Sequence, residues 1–177
     1  MNLGVLPDWR IKALCSSEKQ MISPFDPSLL NPASLDVRLG DTILEERVEG
    51  GGFNEIDISS TTKENHFHLH PNEFVLAQTL EFFDIPDTIC SQYALKSSLA
   101  RQGLEHNLAG WIDPGFNSSV LTLELKNARQ YQYIPLWKGM RIGQLIFFDM
   151  HGPPLESYRI KGHYNGDKKV TRCKLRL

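Results

Sequence analysis

The sequence predicts an all-β protein, mainly strands with short helices, folded as an antiparallel barrel or sandwich. Three observations carry that reading. Short segments with an apolar residue at every second position recur along most of the chain. In SLDVRLG (34–40), for instance, Leu35, Val37 and Leu39 alternate with Ser34, Asp36 and Arg38. Turn signals punctuate these segments: EGGG (49–52), HPNE (70–73), IPD (85–87), DPGF (113–116) and HGPP (151–154). A clear helix signal occurs only near the start.

Taken in order, the helix follows Pro7-Asp8 and runs into WRIKALCSSEKQM, with Asp8 as its N-cap. Strand patterns then follow in SLDVRLG, DTILEERV (41–48), FNEIDIS (53–59), HFHLH (66–70) and EFVLAQTLEFF (73–83). SSLARQGL (97–104) reads as a second helical turn capped by Ser97 or Ser98. SVLTLEL (119–125), YQYIPL (131–136) and RIGQLIFFDM (141–150) resume the alternation. The polar, glycine-containing stretch YRIKGHYNGDKKVTRCKLRL (158–177) is an ordered flap or a loose tail; taken in isolation it reads as loose. Together these make one domain over residues 1–177.

Composition bounds the function. A chain of 177 residues suffices to bury about two thirds of its unfolded surface in one domain. A net charge of −2 and a pI near 6.3 give no basic stripe, so no nucleic-acid partner is expected. A few local cations can still hold a small anion. No run approaches the roughly 18 apolar residues of a membrane span, and MNLGVLPDWRIKAL has no signal-peptide pattern. No membrane partner is expected, and cytoplasmic is the default location. Cys15, Cys90 and Cys173 are isolated, offering neither a disulfide framework nor a CxxC knuckle.

Several residue patterns could carry chemistry. HFHLH puts His66, His68 and His70 on one strand face, as a metal site or, more commonly, a polar stripe. The HxE and PCxxC pair of a zinc nucleobase deaminase is absent. GDKKVT lacks the glycine frame of a P-loop. In KSSLARQGL (96–104), Lys96 and Arg101 bracket two hydroxyls, either a phosphate site or an ordinary serine-capped turn. Asp113, ahead of a Pro-Gly turn, accepts hydrogen bonds from that turn or binds a ligand hydroxyl. In VLTLEL (120–125) the leucines form one face, and Val120, Thr122 and Glu124 the other. Glu124 therefore faces water or a site.

Read together, NPASLDVRLG (31–40), HPNEFVLAQTLEFFDIPD (70–87), KSSLARQGL, AGWIDPGF (109–116), LTLEL (121–125) and KGMRIGQLIF (138–147) resemble the dCTP deaminase family. That family belongs to the trimeric dUTPase-like superfamily, and the resemblance covers roughly residues 5–165. It implies a distorted β-barrel or jelly-roll assembled as a homotrimer, with nucleotide sites between subunits. It also implies zinc-free deamination of dCTP to dUTP and ammonia. Magnesium is expected through the substrate phosphates, with no metal ligands from the protein.

By the same resemblance Glu124 activates the water that attacks C4. A carboxylate with a raised pKa in a partly dry site can take and return protons. Ser97, Ser98 and Arg101 match residues that hold phosphate and the catalytic water network, and Ala109 shapes the pocket beside them. Asp113 matches the carboxylate that accepts the deoxyribose 3′-hydroxyl. Thr122 and Leu123 match positions whose backbone reads the base edge, and Gln144 matches a glutamine near the phosphates. Tyr158, His163 and Asp167 fall where the family folds a C-terminal flap over the triphosphate.

Departures from the pattern matter. Lys96 stands where an arginine is usual, keeping the charge and losing bidentate geometry. His163 and Asp167 replace a common lysine and glutamine, with Lys168 and Lys169 available to restore charge. The run from Asp113 to Glu124 is one residue longer than the family norm; a bulge at NSSV, or a compensating shorter stretch at GLEHNLAG (103–110), preserves register. Ala109-Gly110-Trp111 resembles the bifunctional members, which carry dCTP on to dUMP and pyrophosphate, and also members acting on dUTP; Trp111 reads as barrel packing, the commoner role of such a tryptophan, or as a substrate-binding residue. The alternatives to a plain deaminase are therefore a bifunctional deaminase and diphosphatase, a dUTPase, and a non-catalytic nucleotide-binding regulator. In the hydrolytic readings Asp113 and Gln144, with magnesium, organise the attacking water. Besides dCTP, dUTP and dTTP are the nucleotides to consider as ligands.

Overall fold

The computed structural model describes residues 4–174. The chain begins with β1 (Gly4–Val5), α1 (Asp8–Cys15), β2 (Ile22–Ser23), β3 (Leu30–Asn31), β4 (Ser34–Glu46) and β5 (Phe53–Asp57). It continues through β6 (Phe67–Leu69), β7 (Phe74–Asp84), β8 (Ile89–Leu95), α2 (Ser97–Ala100), β9 (Leu104–His106) and β10 (Trp111–Ile112). It ends with β11 (Asn117–Asn127), β12 (Ile134–Leu136), β13 (Arg141–Asp149) and α3 (Tyr158–Lys161). The main sheet has the order β10-β8-β13-β4-β7-β11-β9, with antiparallel neighbours, and curls into a half-barrel. The all-β expectation holds, and so does the antiparallel one.

Alternation explains the core. Leu35, Val37 and Leu39 of β4, Leu123 and Leu125 of β11, and Leu145 and Phe147 of β13 are all at most 2% exposed. The observed elements depart from the expected ones in several places. SLDVRLG and DTILEERV form the single strand β4, because Gly40 lets the chain pass close to β7. A Cβ there would lie 2.7 Å from Gln78 Cγ and 2.9 Å from the Thr79 carbonyl oxygen. Strand β8 went unpredicted, as did the short β1, β2, β3, β9 and β10; it lies inside the sheet, pairing with both β13 and β10. The helix α1 starts one residue earlier in its cap, at Pro7, and Asp8 is its first residue. It stops at Cys15, where Ser17 Oγ donates to the Leu14 carbonyl at 3.0 Å. Finally, α2 is a single turn whose N-cap is Lys96, neither Ser97 nor Ser98, with no side-chain capping bond.

The stretch after HGPP is the largest correction. It is docked rather than loose. Val170 is 7% exposed and packs against Leu44 and Leu76, with Phe53 and Phe74 beside it. Its N–H donates to Gln78 Oε1 at 2.7 Å. Residues 175–177 of that stretch lie outside the described residues. Cys15 and Cys90 are buried and Cys173 is exposed, and burial pushes the Cys15 thiol up to about 12.

Candidate active site

The site is built on the outer face of β11. Asn117 pairs with Asp84 and Ser119 with Phe83, so Ser118 is an extra residue, held at φ 50°. This is the bulge that NSSV predicts. Beyond it the ladder sets Thr122 opposite Gln78 and Glu124 opposite Leu76. Leu123 and Leu125 then enter the core, and Thr122 and Glu124 face a cavity of about 630 Å³. Glu124 points into a cleft and not into open water.

The cavity gathers seven of the residues the sequence singled out. Ala109, Trp111 and Asp113 line it from β10 and its flanks, Thr122 and Glu124 from β11, and Tyr158 and Asp167 from the C-terminal stretch. Glu124 Oε2 is buried and accepts no hydrogen bond within normal geometry; His106 Nε2 lies 3.3 Å away. His106 comes from β9, next to β11, and its ring packs against Tyr93 with centroids 4.6 Å apart. Burial, and after it the Glu124 charge, raises the Tyr93 phenol. Gly143 leaves room for that ring, which a Cβ would overlap. Burial also raises the Tyr158 phenol, with a smaller contribution from Asp113, so it stays protonated near neutrality.

Trp111 is not barrel packing. It is 58% exposed, stacks on Phe148 at 6.1 Å, and its indole N–H donates to Asp113 Oδ1 at 3.1 Å. That bond turns the Asp113 carboxylate along the cavity rim, in place of the bond from its own turn that the bare motif predicts. The turn behind it is tight. Gly115 sits at φ 88°, and a Cβ there would overlap Ser157 Oγ and Asp87 Oδ1, which are hydrogen-bonded to each other. The DPGF turn therefore locks against the start of α3, and Tyr158 N donates to the Pro114 carbonyl at 3.0 Å.

The other predicted residues lie elsewhere in the chain. Lys96 grips the buried Asp36 carboxylate at 2.8 and 3.0 Å, with Asn31 Nδ2 at 2.7 Å and Arg141 at 3.8 Å from the same group. Gln144 accepts from Ser34 Oγ at 2.8 Å nearby. Ser97, Ser98 and Arg101 are exposed on and just after α2. Neither these five side chains nor those of Leu123 and His163 line the Glu124 cavity. His66, His68 and His70 stand apart, with His68 stacked on Tyr133 at 3.9 Å. No three His, Cys, Asp or Glu side chains among the described residues converge as a metal cage. Sequence reading missed His106, Tyr93, Thr171 and Arg172, since they reach the site by strand pairing or by docking of the C-terminal stretch. The pattern LEH ahead of AGW was the one visible signal for His106.

Comparison with known proteins bears on the family and the fold. Residues 5–150 match the family model described as dCTP deaminase-like. A protein of Acidothermus cellulolyticus named "dCTP deaminase, dUMP-forming" is 42% identical over 182 residues, covering 94% of this chain and 93% of its own. One of the same name from Aquifex aeolicus is 36% identical over 180 residues, covering 98% and 96%. A solved 2′-deoxycytidine 5′-triphosphate deaminase from Agrobacterium tumefaciens superposes with a TM-score of 0.68 at 22% identity, over 84% of this chain. This chain spans half the length of that protein, and at such identity the likeness speaks for the fold alone. A half-barrel whose β11 turns one carboxylate into a cleft, matched over most of its length in sequence, belongs to the dCTP deaminase-like family.

Proposed function

We propose that the protein deaminates dCTP, with Glu124 as general base and acid, and that it carries the product on to dUMP. The observation that supports deamination is the single inward carboxylate of β11, sharing one cleft with Asp113 and the Thr122 backbone. Water adds to C4 of the cytosine and gives its proton to Glu124, which passes it to N3. The hydroxyl of the resulting adduct then loses its proton to Glu124, which delivers it to the exocyclic amine. The C4–N bond breaks, the C4 carbonyl forms and ammonia departs. Asp113, oriented by the Trp111 indole, accepts the 3′-hydroxyl. The Ala109-Gly110-Trp111 segment and the dUMP-forming names of the relatives both favour the second, hydrolytic step.

The homotrimer belongs to the same proposal. Lys96, Ser97, Ser98, Arg101 and Gln144 lie outside their own chain's Glu124 cavity, and a neighbouring subunit would bring them to it. With no side-chain cage for a metal among the described residues, magnesium would arrive on the triphosphate and neutralise its charge. The test is product analysis of the protein with dCTP and magnesium. Direct appearance of dUMP and pyrophosphate is expected. Accumulating dUTP would reduce the protein to a plain deaminase, dCMP would make it a diphosphatase, and untouched dCTP would remove the reading.

A further inference from the structure

The Glu124 cavity is short of positive charge. Asp113, Glu124 and Asp167 all line it, and among the described residues Arg172 is the one cationic side chain that does. A nucleotide polyphosphate adds several more negative charges to such a cleft. The lysines that the sequence offered as compensation are committed elsewhere. Lys168 Nζ donates to the Ser118 carbonyl at 2.7 Å and lies over Phe82, and Lys169 pairs with Glu55 at 3.1 Å. Lys174 neutralises Asp167, with Nζ 2.6 and 2.7 Å from its two oxygens.

Arg172 differs from all three. Among the described residues it forms no ion pair with a carboxylate. Its NH2 group donates to the Phe53 carbonyl at 3.0 Å, and its guanidinium lies 5.7 Å from the Phe53 ring centre. Those contacts fix the plane of the group and leave most of its five donors unused. The backbone on either side is seated independently. Val170 is buried in its apolar notch, and Thr171 N donates to Thr122 Oγ1 at 3.2 Å, on the strand that carries Glu124. A planar cation held at the wall of a carboxylate-lined cleft is built to meet an oxyanion.

We infer that Arg172 is a substrate-binding residue that contacts the phosphates of the bound nucleotide, with Val170 as the positioning residue that seats it. The inference rests on the proposed nucleotide function, and lies outside the residues matched by the family model, which end at 150.

The test measures calorimetric affinity for deoxycytidine, dCMP and dCTP with magnesium, in a Glu124→Gln background that prevents turnover. Arg172→Gln is expected to weaken dCTP about tenfold or more and to leave deoxycytidine unchanged, the loss shrinking at high salt. Arg172→Lys recovers part of the loss, and Val170→Asp reproduces it by unseating the segment. Unchanged dCTP affinity in Arg172→Gln overturns the inference. An equal loss for deoxycytidine does so as well, because the residue would then serve the base or the packing. If the Glu124→Gln parent binds no dCTP, the nucleotide function itself falls and takes this inference with it.

Discussion

Glu124 and Asp113 line one cleft, and substitution should separate the duties proposed for them. Glu124→Gln keeps the shape and removes the proton carrier. Ammonia release should fall by about a hundredfold or more, with dCTP binding retained, as a stopped assay and calorimetry would read; undiminished release would take Glu124 out of the mechanism. Asp113→Ala should raise KM for dCTP by about tenfold or more, the scale of a hydrogen bond to a charged group. It should cost nothing further against a dideoxy analogue that lacks the 3′-hydroxyl. The strand alternation and the Pro-Gly turn left Glu124 and Asp113 open between a site and an ordinary role, and the resemblance of the motifs, read in order, singled both out. Trp111 was misjudged because exposure is a property of the assembled sheet, and its stacking partner Phe148 lies 37 residues on. Asp36 breaks the alternation of β4 for a similar reason. It is 2% exposed because Lys96, 60 residues away, folds over it.

At the scale of elements, local pattern identified most strands and misplaced their ends. Strand β4 read as two because a glycine followed by an aspartate looks like a turn, whereas Gly40 is a point of close approach to β7. Strand β8 was passed over because ICSQYAL carries Ser91 inward, where it is fully buried. The bulge was predicted from length and is present at Ser118. It makes a sharp prediction about insertions. One glycine added after Ser118 should be absorbed with most activity retained, because the ladder from Thr122 onward is held by Leu123 and Leu125 in the core. The same glycine placed after Thr122 should swing Leu123 outward and Glu124 inward. Activity and thermal stability should then be lost together in a melting curve and a turnover assay.

The whole molecule poses the question of where one active site ends. Its chain gathers Ala109, Asp113 and Glu124 in one cavity and leaves Ser97, Ser98 and Arg101 on an exposed turn. If sites are shared between subunits, Glu124→Gln and Arg101→Ala proteins, each inactive alone, should complement one another when refolded together. Random assortment of subunits restores about a quarter of the sites. No recovery would confine each site to one chain and remove the argument for a homotrimer built on this separation. Local spacing gave no hint of the division, since KSSLARQGL and AGWIDPGF stand almost side by side; only the family resemblance implied sites between subunits. One earlier detail bears on genetics. Gly115 is where the DPGF turn, the Asp87 turn and the start of α3 meet without space for a methyl group. A screen for loss-of-function alleles should return position 115 together with changes in the docked C-terminal segment. Partial suppressors of a Gly115→Ala allele, which relieve the clash and not the strain of its positive φ, should map to Ser157 or Asp87, at the back of the turn, rather than to any residue that touches substrate.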